Sequence, residues 1–131
     1  MSGINVIQDE SLRATESGFE IQVRYKWYRS LQLSCVEGMQ LALDGHAVDQ
    51  DHIKFCINDG EYRLGELAEK VEEFWFILDW ALLKVDLPGK VNRGETHQID
   101  VMFGMRTPYI PIGPEKFLTV VNKQSVTQIA A

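Results

Sequence analysis

The sequence predicts an all-β chain: an antiparallel β-sandwich, jelly-roll-like, of about seven or eight strands with one short helix near 65–73. Three observations carry that expectation. Apolar and polar residues alternate over 19–25 and again over 96–105, turn signals of the Asp-Gly kind recur between apolar runs, and only residues 65–73 carry helical spacing. Alternation places one set of side chains on each face of a strand, and an antiparallel sheet tolerates one wet face.

In chain order, Phe19, Ile21, Val23 and Tyr25 share one face against Glu20, Gln22 and Arg24. Residues 39–44 repeat the pattern more weakly, with Leu41 and Leu43 on one face. Asp44-Gly45 and Asn58-Asp59-Gly60 supply the positive backbone angles of tight hairpins. Stretches 53–57, 62–63, 74–78, 84–87 and 117–121 read as further strands. Residues 65–73 place Leu67, Ala68 and Val71 at helical spacing, with acid near the start. His97, Ile99, Val101, Phe103 and Met105 point one way in the cleanest strand. The expected core is Phe19, Ile21, Val23, Leu41, Leu43, Phe55, Ile57, Ile99, Val101 and Phe103. A length of 131 residues fits one sandwich domain over 1–131. Residues 1–10 and the polar stretch 122–131 read as flexible or partner-docking tails.

Composition excludes several classes of function. The chain is 45% apolar and 24% charged, enough to build a core. Its 13 basic and 19 acidic residues sum to −6 without a basic block, which argues against nucleic acid as a partner. No apolar run approaches the roughly 20 residues that cross a bilayer, and the first residues lack a basic-then-apolar leader. The expected address is the cytoplasm, with no membrane partner. Cys35 and Cys56 both lie in apolar runs and are expected to be reduced, small hydrophobes.

Chemistry-bearing clusters are sparse. His46 and His52 lie close to Asp44, Asp49 and Asp51, residue types that can ligate a divalent cation. Their spacing matches neither a calcium-loop ladder nor a pair of His one helical turn apart, so a hairpin connection is the preferred reading and no metal is expected here. His97 is expected to be a core-edge residue bonded to backbone. The sequence contains no Gly-rich phosphate loop, no Gly-x-Ser-x-Gly elbow and no Cys-x-x-Cys, and no catalytic residue is assigned. Two strand exits are richer. Tyr25, Trp27, Tyr28 and Arg29 follow one strand; Arg106, Pro108, Tyr109 and Ile110 follow another. Aromatic and Arg side chains dominate partner interfaces, so these eight are the partner-interface candidates, pictured as one apolar patch rimmed by two cations. The competing reading is a sandwich end sealed by aromatics.

The same segments carry a resemblance. Residues 19–24, then Tyr28-Arg29-Ser30-Leu31 and Leu33-Ser34-Cys35-Val36-Glu37-Gly38, resemble the small, or beta, subunit of bacterial C-glycoside deglycosidases. Leu43-Asp44-Gly45, Tyr62-Arg63-Leu64 with Glu66-Leu67-Ala68, Trp75-Phe76-Ile77-Leu78-Asp79 and Arg106-Thr107-Pro108-Tyr109-Ile110 follow in the same order, across 18–114. The resemblance implies a β-sandwich that packs on a large alpha subunit similar to sugar isomerase barrels. It implies a lyase reaction on a 3-oxo-C-glycoside, with C2 deprotonation, elimination at C1 and a divalent metal, typically manganese, all in the alpha subunit. No family catalytic residue falls on a position of this chain, and no cofactor is expected in it. Two other readings stand beside it. One is a free-standing module that binds sugar or polyphenol through Tyr25, Trp27, Tyr28 and Tyr109. The other is a small metalloenzyme built on His46 and His52.

Overall fold

The computed structural model describes residues 5–27, 29–114 and 116–131. In chain order its strands are β1 (Arg13–Thr15), β2 (Gly18–Val23), β3 (Leu31–Gln32), β4 (Val36–Leu43), β5 (His46–Ala47) and β6 (Ile53–Ile57). They continue as β7 (Gly60–Arg63), β8 (Phe74–Trp75), β9 (Ala81–Asp86), β10 (Thr96–Gly113) and β11 (Lys116–Ile129). All pairings between these strands are antiparallel, in one sheet of order β1-β2-β9-β6-β7, a second of order β11-β10-β4-β5, and the small pair β3-β8. Seven of the described strands have four residues or more, the number the alternation predicts; the rest are two- or three-residue pairings too short to show a period.

The alternation does what pleated geometry requires. Phe19, Ile21 and Val23 on β2, Leu83 and Val85 on β9, and Ile53 and Phe55 on β6 turn to one interior. Leu41 on β4 and Ile99, Val101, Phe103 and Met105 on β10 meet them from the other sheet. All ten expected core residues are buried. The turn residues also behave as their chemistry dictates: Asp44 (φ 52°) and Gly45 (φ 82°) close β4 onto β5, and Asn58 (φ 52°) and Asp59 (φ 63°) close β6 onto β7.

The short helix expected near 65–73 is present in 3-10 form, and two further expectations need correction. A 3-10 helix spans Leu64–Glu69, its start tied by the Arg63 N–H donating to Glu66 Oε1 at 3.0 Å. Only Leu67 is buried there while Val71 stands in solvent, so no apolar stripe exists to hold further turns on the core. Stretch 74–78 is strand only at Phe74–Trp75, after which the chain turns.

Residues 122–129 are not a loose tail but the end of β11, and Val6 and Ile7 near the other terminus are buried. Three of the inward positions of β11 are amides for a reason. Gln124 Oε1 accepts the Ile7 N–H at 2.8 Å, Gln128 Oε1 those of Ser11 and Leu12, and Asn122 Oδ1 that of Lys26. The side chains of one sheet thus satisfy backbone donors of the chain that edges the other. Ala131 completes the stitch, donating to Leu12 O and accepting from Ala14 N–H.

His97 also departs from expectation. Its partners are carboxylates rather than backbone: Nδ1 lies 2.6 Å from Asp44 Oδ2 and Nε2 3.2 Å from Glu95 Oε1. The hydrogen bond to Asp44 first, then that to Glu95, raises the imidazole above its ordinary 6.5. Bonds to the Gln98 N–H and His97 lower Asp44 below 3.8, and bonds to the Asn92 N–H and His97 lower Glu95 below 4.5. A raised histidine stabilises the fold below its unfolded value, and this is lost as pH rises through the folded one. Lowered carboxylates stabilise above their unfolded values, and this is lost on acidification through the folded ones. The cluster therefore contributes most between about 4.5 and 6.5. Melting temperature should fall by a few degrees at most as pH is raised past neutrality, because Asp44 and Glu95 are solvent-facing. His97→Gln should flatten that slope in a pH series of thermal melts.

Candidate functional site

The segment after β2 crosses one end of the sandwich, and Tyr25 fixes its path. The alternation of β2 carries Tyr25 inward, where it is 2% exposed with its ring edge-on to Trp75 at 4.8 Å. Its hydroxyl donates to Trp75 O at 2.6 Å and accepts the Leu31 N–H at 3.0 Å. Burial pushes its pKa up to about 12, so the hydroxyl stays a donor at any ordinary pH. Tyr25 thus supports the surface from below. Tyr25→Phe leaves a buried carbonyl and a buried N–H unpaired, and should cost about 1–3 kcal/mol in a urea titration.

Above Tyr25 the candidates divide. Trp27 Nε1 donates to the Tyr109 hydroxyl, and the Arg29 guanidinium lies over the Tyr109 ring at 4.6 Å. Trp27 and Tyr109 are half-buried against the core, whereas Arg29 is exposed. Pro108 is exposed and Ile110 half-buried on the arm where β10 and β11 continue past the sandwich, together with exposed Ile112 and Phe117. Tyr28 lies outside the described residues. Arg106 does not join Tyr109. With Met105 and Thr107 buried on either side, it projects from the outer face of β10 towards Glu37 Oε1 and Ser34 O, each at 3.4 Å. The picture of one patch rimmed by two cations reduces to one cation, Arg29, with Arg106 on the other face.

A neighbouring group was missed in the sequence. Ser30 Oγ accepts the Ile77 N–H at 2.9 Å, joining this segment to the turn after β8. That turn is clamped: Asn58 Nδ2 donates to Phe74 O, Trp75 Nε1 to Asp79 O and the Asp79 N–H to Phe76 O. With Trp75 fully buried, the clamps hold Phe74, Phe76 and Leu78 outward; the two Phe rings stack at 6.1 Å and Leu78 is 63% exposed. Leu78 has φ 77°, a left-handed conformation that costs a side-chain-bearing residue of order 1 kcal/mol or more. The signal was available, since Phe74, Phe76 and Leu78 share a parity opposite to Trp75.

Charge is divided as well. Residues 101–131 contain Arg106, Lys116 and Lys123 against a single acid, Glu115, while residues 1–100 hold 10 basic and 18 acidic residues. The stretch 101–131 is thus +2 on a remainder of −8.

Metal-ligating chemistry does not assemble. His46 sits exposed on β5 and His52 at the end of the 3-10 turn Gln50–His52, where Asp49 accepts the Asp51 N–H as an N-cap. Among the described residues no group of three or more His, Cys, Asp and Glu side chains could hold a metal ion. Cys35 is buried and Cys56 half-buried; both are free, and burial raises both thiols. No helix among the described residues is long and apolar enough to cross a membrane.

A family model described as C-glycoside deglycosidase beta subunit matches residues 4–109. The chain belongs to the C-glycoside deglycosidase beta subunit family. It is 37% identical over 107 residues to a 3'-dehydrocarminate deglycosidase beta subunit of Microbacterium sp, covering 82% of this chain and 80% of the relative. It is 30% identical to a C-glycoside deglycosidase beta subunit of Microbacterium trichothecenolyticum over 95% of this chain and 94% of the relative. Another from Arthrobacter globiformis is 33% identical over 80% and 79%. The matched span of this family member contains Trp27, Arg29, the 74–79 turn and Tyr109, and stops where the β10–β11 arm begins to project.

Proposed function

We propose that this chain is the small, non-catalytic subunit of a heteromeric C-glycoside deglycosidase, a carbon–carbon lyase whose bond cleavage takes place in the large alpha subunit. The match to the beta-subunit family over 4–109 carries the reading. In the proposed reaction a base of the large subunit removes the C2 proton of a 3-oxo-glucosyl unit. The C2–H electron pair becomes a C1–C2 double bond, the C1–aglycone bond breaks, and the aglycone carbon keeps its electron pair and takes up a proton. The divalent cation, manganese in the resemblance, is assigned to the large subunit, because the donor sets among the described residues do not fit one. We place the complex in the cytoplasm, in keeping with the two free thiols.

The proposed docking surface is the sandwich end that carries Arg29, Trp27, Tyr109 and Ile110, widened by Phe74, Phe76 and Leu78. Exposed aromatic and aliphatic side chains, held on a clamped turn against a local strain cost, are the anchor type that interfaces use. The test is reconstitution. The chain should co-purify with a large subunit of this enzyme class, and cleavage of a 3-oxo-C-glycoside should require both chains. A large subunit fully active alone, beside a monodisperse 131-residue chain that never joins it, overturns the reading.

A further inference from the structure

The outer face of the second sheet carries a concavity that the docking surface does not use. Strand register builds it as a lattice. Gln40, Met102 and Lys123 face outward in one row across β4, β10 and β11, and Ala42, Asp100 and Ser125 in the next. Ala47 on β5 extends the second row beyond Ala42. Past β5 the chain stays beside β4, with Val48 N–H donating to Leu41 O at 2.8 Å and Gln50 Nε2 to Met39 O at 3.0 Å. That segment forms one side of an open groove of about 820 Å³, a volume typical of small-molecule sites.

We propose that this groove binds a planar polyphenol. Its apolar lining includes the methyls of Ala42 and Ala47 and the thioether of Met102, beside Val48, and a flat ring can lie on these groups while the sulfur favours its edge. Among the described residues no aromatic side chain lines the groove, so a bare sugar finds no stacking platform there and the ligand supplies the ring itself. The polar groups suit hydroxyls that both donate and accept. Gln50 uses an N–H on Met39 O, which leaves its carbonyl oxygen to accept. Among the described residues Asp100 meets only Gln98 Nε2, at 3.5 Å, and Lys123 makes no ion pair. One carboxylate and one ammonium leave the site without net charge, which favours a neutral phenol over a polyanion. The groove lies on the outer face, whereas Trp27 and Tyr109 pack against the core, so polyphenol binding and the subunit role can fail separately.

Isothermal titration of the full chain with a flavone aglycone, and with glucose as the sugar probe, tests the assignment. The flavone should bind in the micromolar range and glucose should give no heat. Met102→Asp should abolish binding, and Lys123→Ala should weaken it about tenfold by removing a charged hydrogen-bond donor. Both variants should keep wild-type melting and co-purify with the large subunit. Lys123 is exposed, so its variant carries the test if Met102→Asp melts early. The proposal is overturned by absence of flavone binding, by glucose binding as well as the flavone, or by variants that bind as wild type does. Lost assembly in a folded Met102→Asp chain also overturns it, since the groove would then be a protein interface.

Discussion

Trp75→Ala should cost about 3–5 kcal/mol, the upper range for a single core truncation, and lower the melting temperature by about 10 °C or more. Trp75 is the largest fully buried side chain and sits between the two main sheets. It touches Phe55 from β6 edge-on at 5.1 Å, Phe103 from β10 in a stack at 5.6 Å, and Tyr25 at 4.8 Å. Removing the indole opens a cavity at the point where both sheets meet and leaves Asp79 O without its 2.9 Å donor. A domain has only about 5–15 kcal/mol of stability to lose, so the variant should be partly unfolded near physiological temperature. Trp75→Phe keeps much of the ring contact but not the N–H, and should recover part of the loss. Urea titrations of the two variants beside wild type check this. A Trp75→Ala loss within about 1 kcal/mol of zero would show that the two sheets are held together elsewhere.

How much of this was legible in the sequence depends on which partner each strand face meets. Where a face meets apolar side chains, the period shows, and β2, β4, β6 and β10 read correctly from Phe19, Leu41, Phe55 and Val101. Where a face meets backbone donors, inward residues are amides, and Asn122, Gln124 and Gln128 made the end of β11 look like a solvated tail. Short apolar runs were ambiguous in a different way: Phe76 and Leu78 look like strand, yet only Asp79, Ser30 and Asn58 define the turn that presents them, and those partners lie up to 47 residues apart in sequence. Two misplacements were avoidable. Strand parity alone carries Tyr25 inward with Val23, and sends Arg106 outward between Met105 and Thr107. The outer groove had no periodic signal, because Met102, Ala42 and Lys123 meet only through the register of three strands.

The second large effect concerns assembly rather than folding. Phe76 is 53% exposed, so Phe76→Asp should change the stability of this chain by no more than about 0.5 kcal/mol. Burial of the same ring in an interface is worth at least about 2 kcal/mol, and an aspartate there also leaves an unpaired charge, so affinity for the large subunit should fall about thirtyfold or more. Tyr109→Ala acts on the other half of the surface. It removes the acceptor of the Trp27 N–H and the ring beneath Arg29, so it should both lower the melting point slightly and weaken assembly. Tyr109→Phe separates the two contributions, because it keeps the ring under Arg29 and loses only the hydroxyl. Melting of each variant alone and its dissociation constant for the large subunit, measured together, give the answer. Weakened assembly without lost stability in Phe76→Asp identifies the clamped turn as an anchor. Wild-type assembly by both Phe76→Asp and Tyr109→Ala would move the interface off this end of the sandwich, onto a surface that neither Trp27 nor the turn after β8 reaches.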